Sequence, residues 1–379
     1  MANTNMDLLY PEFWAASFDE LDIGEYGFQN LVSRDVEPLV ANFGTKVNVP
    51  IQPDMDAETW TPGSTITADD IAQTEVEVSL DKSYKKTINL NGTEMTKSAY
   101  DLVQTYGVPM AKSIMKSVNE VIYQELLSST NFLDATAGID EDDIIDAGAT
   151  LTAADVSMMN RVIVASPDVM AALQKQDAFQ YVNYSGQSDV MNDGRLMRRM
   201  GFDFYVNNAI SKYTPADVAG AVNNGGTAYA AGDTTVVVDA FNDDANPIRV
   251  GDIVTFADEV GTPKHVITAT ETTTSDTTSI TFSPALSGSA PADNDDVVTI
   301  TPSQSAIAMV PSGLAFAARA YAQLPSNTGV SQSIVNYNGL PIRISVWHDA
   351  KLGVNVQYDI LFGASLVKSE RVVRLLEDL

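Results

Sequence analysis

The sequence predicts an α+β fold, and three observations carry that prediction. Strand-like segments flank a long amphipathic helix, a buried-type strand is followed at once by a capped helix, and about 90 residues in the middle of the chain read as strands alone. The length of 379 residues and the hydrophobic content of 45% are enough for two or three modules with a substantial core.

The composition excludes several classes of function. Basic residues number 22 against 50 acidic ones, and the formal charge of -28 repels nucleic-acid phosphate and anionic lipid. Without cysteine the chain has no disulfides, no thiolate metal sites and no thiol redox chemistry. The N-terminus is acidic where a signal peptide is basic, and no apolar run is long enough to span a bilayer. We therefore expect a soluble or assembled protein.

The first quarter of the chain predicts segments that need other surfaces to pack on. Residues 1–45 scatter aromatic side chains among carboxylates with no strand or helix period. Residues 46–92 contain VNVPIQP and TEVEVSLDKSYKKTINL, two strand-like runs joined by a long polar excursion with prolines. This second segment resembles an extended hairpin.

Two helices are predicted next. The first covers about Thr93 to Tyr106, and the second begins at Pro109, a residue favoured in the first turn of a helix. In the second helix one apolar stripe recurs every four residues, at Met110, Ile114, Val118, Ile122 and Leu126. The stripe predicts a long helix with one buried face.

Strand and helix signals alternate again beyond this helix. RVIVASPDVMAAL predicts a buried strand at Val162 to Ala165 and a helix capped by Ser166, and GFDFYVNNAI alternates like a strand. SAIAMVPSGLAFAARAYAQL predicts a strand followed by a helix of small residues. Nearer the C-terminus, the Asn338-Gly339 pair predicts a tight hairpin turn.

Residues 213–302 differ in texture from the sequence on either side. They contain GDTTVVVDAF, VGDIVTFAD, HVITATE and SITFSPAL, which are short threonine-rich strands with turn residues between them and no helix pattern. Thirteen carboxylates stand there against only Arg249 and Lys264. The pattern indicates a self-contained all-strand module inserted between Ala209 and Ser305.

Catalytic motifs are missing from the sequence. There is no GxSxG, HExxH, GxxxxGK or GxGxxG, and we expect the two imidazoles, His265 and His348, to be structural or at the surface. The clusters Asp140–Asp143, Asp243-Asp244 and Asp293–Asp296 offer hard oxygen ligands without EF-hand spacing, so solvated loops are the simpler interpretation. No cofactor and no metal site are predicted.

Basic residues are rare in this chain, and they mark candidate contacts with a neighbouring copy, whose surface would be acidic. A solvated face is the alternative interpretation. The candidate inter-subunit contacts, which include one tryptophan of the polar excursion, are Trp60, Lys82, Lys85, Lys86, Arg195, Arg198 and Arg199.

The order of PEFW, NVPI, the long helix, RVIVASPDVMAAL, GFDFYVNNAI and AIAMVPSGLAFAARAYAQL resembles that of the major capsid proteins of tailed bacteriophages. GDIVTFADEVGTPKHVITATETTTSDTTSITFSPAL looks like the insertion domain of the podovirus-type members. The resemblance implies the Hong Kong 97-type capsid fold. Its parts would be an N-terminal arm (1–45), an extended loop with its base (46–92), a peripheral domain with a spine helix (93–155), an axial domain with some closing peripheral strands (156–212 and 303–379) and a β-rich insertion domain (213–302).

The resemblance implies a non-enzymatic shell subunit that forms hexamers and pentamers around double-stranded DNA without reading its sequence. It implies assembly in the host cytoplasm with a scaffolding protein, a portal protein and a cement or decoration protein, and acidic arm residues such as Asp19 and Glu20 are candidate scaffold contacts. Two other classes stay open at this point. One is an acidic surface-layer or adhesin-like binding protein, and the other is a metal-dependent hydrolase that joins an aspartate cluster to His265 or His348.

Overall fold

The computed structural model divides the chain into two compact units, one containing Ser33–Ile114 and Leu314–Val367, the other residues 27–32, Met115–Gly313 and Lys368–Leu379. The structure describes residues 27–40, 44–51, 55, 57, 59, 61–64, 74–90, 106–135, 138–180, 196, 198–210, 219–223, 229–239, 248–257, 259, 261–272, 277–287, 297–300, 303–325, 329–337, 339–348 and 353–378.

The described helices are α1 (Glu37–Val40), α2 (Val108–Leu127), α3 (Glu141–Ala153), α4 (Pro167–Gln174) and α5 (Asp177–Gln180), with 3₁₀ turns at Phe28–Asn30, Pro311–Gly313 and Ser369–Arg371. The described strands are β1 (Lys46–Ile51), β2 (Thr74–Ser79), β3 (Lys82–Leu90), β4 (Phe132–Asp134), β5 (Arg161–Ala165), β6 (Phe202–Val206), β7 (Ala219–Val222), β8 (Thr235–Asp239), β9 (Ile253–Phe256), β10 (His265–Thr272), β11 (Thr277–Ser283), β12 (Val297–Ile300), β13 (Ser303–Met309), β14 (Leu314–Arg319), β15 (Val330–Tyr337), β16 (Leu340–His348), β17 (Val354–Leu366) and β18 (Val372–Asp378). The predicted α+β class is confirmed.

The first unit is organised around the long strand β17. It pairs antiparallel with β14, β16 and β3, and β15 pairs with the far side of β16. The hairpin turn predicted at Asn338-Gly339 is confirmed by the β15–β16 register and by the positive φ of Gly339. Arg34 donates to the carbonyl of Gly339 and forms an ion pair with Glu37 at 2.7 Å. This side chain therefore ties the end of the predicted arm to the hairpin.

A two-stranded antiparallel ribbon, β1 with β2, forms a separate sheet in the same unit. The strand predictions in VNVPIQP and TEVEVSLDKSYKKTINL are thereby confirmed. In the ribbon only Val78 is fully buried, and most other residues are exposed or half-buried. Because two strands alone bury too little apolar surface to be stable, the ribbon depends on packing against other surfaces.

The segment AFAARAYAQL is not the predicted helix. Leu314–Arg319 is strand β14, buried along most of its length and paired with β17 through Ala317 and Gly363. Alanine favours helices in isolation. In this short apolar run, however, the secondary structure is determined by pairing with other strands. Paired on the inside of a sheet, small side chains leave room for close packing, and the helix prediction was wrong for that reason.

The second unit contains a five-stranded sheet in the order β4-β18-β13-β5-β6. The predicted strand at Val162 to Ala165 is β5, and GFDFYVNNAI supplies β6, which runs parallel to β5. The cap predicted at Ser166 is confirmed, because its Oγ accepts the Val169 N–H at 3.2 Å and opens α4. Apolar side chains of α3 and α4 pack with those of β5, β6, β13 and β18 in one core.

Helix α2 confirms the predicted apolar stripe. Met110, Ile114, Val118, Ile122 and Leu126 are all buried. Pro109 lies in the first turn of the helix, as predicted. The preceding helix, predicted at about Thr93 to Tyr106, falls almost wholly outside the described residues.

The threonine-rich stretch contributes to a closed barrel of six antiparallel strands in the order β10-β11-β8-β7-β12-β9. Ile267, Ile280 and Phe282 fill its interior, while Thr235 and Thr281 pair their hydroxyls on the outside at 3.3 Å. Threonine suits that outer position because it is β-branched and polar. The described part of residues 213–302 contains strands and turns and no helix, as the sequence predicts.

The two compact units divide residues 303–379 between them. Leu314–Val367 belongs to the first unit because β17 pairs with β3, whereas β13 and β18 remain in the sheet of the second unit.

Gly363 on β17 should tolerate no side chain. A Cβ at this position would lie 1.9 Å from the carbonyl oxygen of Ser79. Gly363→Ala is expected to lower the free energy of unfolding of the first unit by about 2–4 kcal/mol, since backbone atoms must move. Urea denaturation followed by circular dichroism measures this loss.

Gly148→Ala in α3 is the matched control. Its Cβ would lie at an ordinary 3.5 Å from the ring of Phe202. Alanine in a helix interior is favoured by about 0.5–1 kcal/mol, so this variant should be as stable as the wild type or more stable. Equal behaviour of the two variants would contradict the close approach at Gly363.

Candidate assembly surfaces and buried polar clusters

His265 lies inside the barrel with both ring nitrogens engaged. Nδ1 is 2.8 Å from the carbonyl oxygen of Pro284, which can only accept, so Nδ1 donates. Nε2 is 2.7 Å from Oε2 of Glu259, and Oε1 of Glu259 accepts the Ser287 N–H at 2.6 Å. No ring nitrogen is left to bind a metal or to take a proton from a substrate. The expectation of a structural histidine fits this geometry.

The carboxylate of Glu259 is buried but held in its ionised form. Burial by itself raises the pKa of Glu259, yet the Ser287 N–H and the His265 ring together outweigh burial and bring that pKa below its ordinary value. The stability that this carboxylate contributes is therefore fully present above the ordinary carboxyl range, and it is lost as the pH falls through the lowered pKa.

His348 lies at the end of β16, where its side chain is exposed and belongs to the other unit. In the acidic cluster at Asp140, the side chains form a capping box. Oδ1 of Asp140 accepts the Asp143 N–H at 3.1 Å, and Oδ2 of Asp143 accepts the Asp140 N–H at 2.9 Å. The cluster caps the N-terminus of α3, which is a structural role.

Asp243-Asp244 and Asp293–Asp296 lie outside the described residues. Within the described ranges, no group of three or more His, Asp or Glu side chains is arranged to hold a metal ion. In the same part of the chain, no helix is long and apolar enough to cross a membrane.

Sequence reasoning missed a buried charged cluster beneath the barrel. Arg374 on β18 is 1% exposed and donates from Nη1 to the Leu127 carbonyl at the end of α2, at 3.0 Å. Asp252, in the turn before β9, accepts the Arg249 N–H at 2.8 Å. Burial raises the pKa of Asp252 to about 6 and lowers that of Arg374 to about 10, and each charge partly offsets the burial of the other.

Two further contacts fix the barrel to the same sheet and helix. A Cβ on Gly251 would lie 2.6 Å from Cβ of Leu127, so the barrel turn packs directly on the end of α2. Nζ of Lys264 lies 2.6 Å from Oδ1 of Asp134 in β4. The residues in these contacts are separated by more than a hundred positions, and no local signal in the sequence joins them.

The predicted inter-subunit lysines lie together on β3. Lys85 and Lys86 are exposed, and Lys82 forms an ion pair with its neighbour Asp81 at 3.2 Å. Tyr84, between them, stacks on Phe362 with ring centroids 5.6 Å apart. The strand therefore presents positive charge to solvent, and the role of these lysines between subunits stays a prediction.

The side chain of Arg198, predicted to contact a neighbouring copy, makes contacts within its own chain. It bonds within the chain to Asp203, and Nη2 donates to the carbonyls of Met158 and Gly201 at 3.2 Å each. Arg199 is half-buried, and its backbone pairs with that of Phe202. The other predicted contacts lie outside the described residues; they are Trp60, Arg195, Asp19 and Glu20.

Exposed methionines are a surface feature that sequence reasoning missed. Met158, Met159 and Met200 are 64%, 72% and 40% exposed. All three lie in turns that lead into neighbouring strands, β5 and β6. Methionine spacing in the sequence carries no signal of this, because exposure is decided by the tertiary structure.

Sequence comparison gives no match, either to a protein-family model or to a curated protein. Solved structures do match over most of the chain. One described as Mycobacterium phage Che8 has a TM-score of 0.55 at 16% identity and covers 92% of this chain and 90% of that chain. The capsid structure of Cyanophage P-SCSP1u has a TM-score of 0.53 at 10% identity, with 93% and 88% covered.

The mature capsid of bacteriophage PhiM1 also matches, with a TM-score of 0.50 at 10% identity and coverage of 89% and 83%. At these identities the similarity shows the fold. The chain has a fold that chains of phage capsids have, and it spans nearly the full length of those chains.

Glu259→Gln should destabilise the barrel in a pH-dependent way. At pH 7 the variant loses the buried carboxylate that His265 and the Ser287 N–H contact, and we expect a loss of about 3 kcal/mol in unfolding free energy. Because the wild-type carboxylate has a lowered pKa, the difference should persist through the ordinary carboxyl range and shrink only as the pH falls through that lowered pKa.

Urea denaturation at several pH values measures the difference between variant and wild type. Glu271→Gln, which removes an exposed carboxylate from β10 of the same barrel, is the control and should have little effect. A loss that stays constant from neutral to acid pH would contradict the ionised state of Glu259.

Proposed function

We propose that this chain is the major capsid protein of a tailed bacteriophage, a non-enzymatic subunit that assembles into the icosahedral shell around the genome. One observation carries the proposal: the fold matches chains of phage capsids over about nine tenths of both lengths. Such a match covers most of the chain and not one isolated motif. It gives no support to a surface-layer or adhesin-like protein.

The finer assignment is the Hong Kong 97-type capsid fold. In it, residues 1–45 form the N-terminal arm, residues 46–92 form the extended loop and its base, and α2 is the spine helix of the peripheral domain (93–155). The sheet with β5, β6, β13 and β18 is the core of the axial domain, and residues 213–302 form the insertion domain. The exposed β1–β2 ribbon supports the loop assignment, since it buries little of its own surface.

The charge of the chain fits a container better than a DNA-binding protein. A formal charge of -28 repels phosphate, so the genome is enclosed without specific binding. Repulsion between copies also has to be overcome during assembly, and the exposed lysines on β3 provide local positive charge for acidic neighbours. These lysines, Lys82, Lys85 and Lys86, are proposed contacts between subunits.

The barrel is proposed to stabilise the domain that carries it. Its turn at Gly251 packs on α2, and its charged residues lie next to Arg374 of β18. The barrel thus contacts the spine helix and the sheet at once. Partners proposed for the whole subunit are a scaffolding protein, a portal protein and a cement protein, with assembly in the host cytoplasm and a final place in the virion capsid.

Electron microscopy of the purified chain tests the proposal directly. The chain is expressed alone and with the scaffolding protein of its own genome, then imaged by negative stain. Closed shells with hexameric and pentameric capsomers are the expected result. A small monodisperse species in both samples, over a range of salt concentrations that screens repulsion between copies, would overturn the proposal.

The proposed scaffold contact has its own test. Asp19→Lys together with Glu20→Lys should abolish scaffold-directed assembly, because a basic scaffold segment would meet like charge. Asn3→Lys together with Asn5→Lys adds positive charge to the same arm without removing a carboxylate, and it should leave assembly intact. Co-sedimentation with scaffold and shell yield are measured. Normal shells from the first variant would refute the contact.

A further inference from the structure

An apolar patch interrupts the acidic surface of the second unit. We call Met158, Met159, Met200 and Arg199 the methionine patch. Its methionines are 64%, 72% and 40% exposed, and they are three of the ten large hydrophobic residues that are exposed in the described part of the chain. Methionine is common at surfaces that bind partners, because the side chain is apolar and adapts its shape.

The patch is held rigidly by two arginines. Arg161 is 3% exposed, and its guanidinium donates to the carbonyls of Gly148, Val156 and Ser157, joining the end of α3 to the turn that carries the methionines. Arg198 bridges this turn to the turn before β6 through the Met158 and Gly201 carbonyls. The methionines therefore stand on fixed backbone, which lowers the entropy cost of docking.

The patch also carries unused hydrogen-bonding capacity. Strand β6, which begins beside Met200, is the last strand of its sheet, and its outer edge has no partner strand among the described residues. Nε of Arg199 is buried and has no hydrogen-bond partner within the described part of the chain.

A complementary surface lies near the other end of α3. Ile145 is 52% exposed, and Asp142, Asp146 and Ala149 are exposed beside it. Because residues three and four positions apart share one face of a helix, these four side chains form an apolar strip with two carboxylates. We call them the α3 face. Both carboxylates lie in the first two turns, and the methionine patch adjoins the turn that follows the last residue of α3.

We propose that the methionine patch of one copy docks on the α3 face of the next copy. Methionines meet Ile145 and Ala149, and the guanidinium of Arg199 meets Asp142 or Asp146. The two surfaces are distinct parts of one unit, so the contact is head-to-tail, and a rotation that closes gives a ring. This inference rests on the proposed function, because it names the contact that would build a capsomer.

Charge selects a second copy over other partners. With a formal charge of -28, copies of the chain repel one another, and a patch that carries Arg199 next to Arg198 is a surface that another acidic copy can approach. Asp203, a carboxylate beside the patch, is already bonded to Arg198 at 3.2 Å. The patch is therefore complementary to the chain that carries it.

The test uses one position with two opposite charges. Met159→Glu and Met159→Lys are equally polar, and both replace a side chain that is 72% exposed, so folding should be preserved in each. Facing Asp142 and Asp146, glutamate should lower shell yield about tenfold or more, whereas lysine should lower it about threefold or less. Near-ultraviolet circular dichroism and thermal melting of unassembled subunits confirm that both variants fold.

Reversal on the partner surface completes the design. Adding Asp146→Lys should restore assembly of the Met159→Glu variant and impair assembly of the Met159→Lys variant. Such an exchange of preference requires that the two positions meet between copies. If the two variants of Met159 assemble equally and Asp146→Lys exchanges nothing, the proposed contact is refuted, and a cement protein on the patch becomes the alternative.

Oxidation footprinting gives an independent reading on wild-type protein. In shells, Met158, Met159 and Met200 should react with peroxide at least about tenfold more slowly than in free subunits, while the buried Met115 and Met309 stay unreactive in both. Unchanged reactivity in well-formed shells would overturn the contact and leave the capsid proposal standing. Failure of the wild type to form any shell would instead remove the capsid proposal.

Discussion

The second unit depends on the burial of one charge, that of Arg374. Taking a guanidinium out of water costs several kcal/mol unless carbonyls and opposite charge replace the water. Its Nη1 finds the Leu127 carbonyl at the end of α2, and Asp252 of the barrel turn supplies negative charge nearby. The buried charge therefore requires a strand near the C-terminus, a central helix and the barrel to meet around it. These three elements are far apart in the sequence.

Polar groups elsewhere in the chain follow the same logic. His265 and Glu259 fix the loops at one end of the barrel, and the carboxylates of Asp140 and Asp143 begin a helix. These groups would look like catalytic or metal-binding candidates from residue type alone. Each of them is fully engaged within the fold, so residue type without geometry is a weak guide to chemistry in an acidic chain.

Local signals in the sequence predicted much of the fold. The apolar stripe of α2, the Ser166 cap and the Asn338-Gly339 turn each depend on residues within a few positions of one another, and the structure has all three. The prediction of a helix at β14 was wrong, because the conformation of this segment depends on its pairing with β17, about fifty residues away. Pairing partners at that distance leave no periodic mark.

The candidate surfaces were predicted less well than the fold, for a physical reason. Charge is visible in a sequence, so the lysines of β3 were found. Exposure of an apolar side chain is a property of the folded surface, so Met158 and Met159 were not found. Arg198 shows the converse. This charged residue was expected at an interface, but its guanidinium donates to backbone carbonyls of the same chain and so supports the turn that carries the methionines.

The short chain connection between the barrel and the sheet has a mechanical consequence. Only two residues separate Ile300, the last of β12, from Ser303, the first of β13, and β13 is the middle strand of its sheet. The turn at Gly251 also packs on Leu127, so the barrel is held at two points and its rotation relative to the sheet is restricted. Force applied to the barrel is therefore transmitted directly to the sheet, so the barrel moves with the sheet and not as an independently mobile domain.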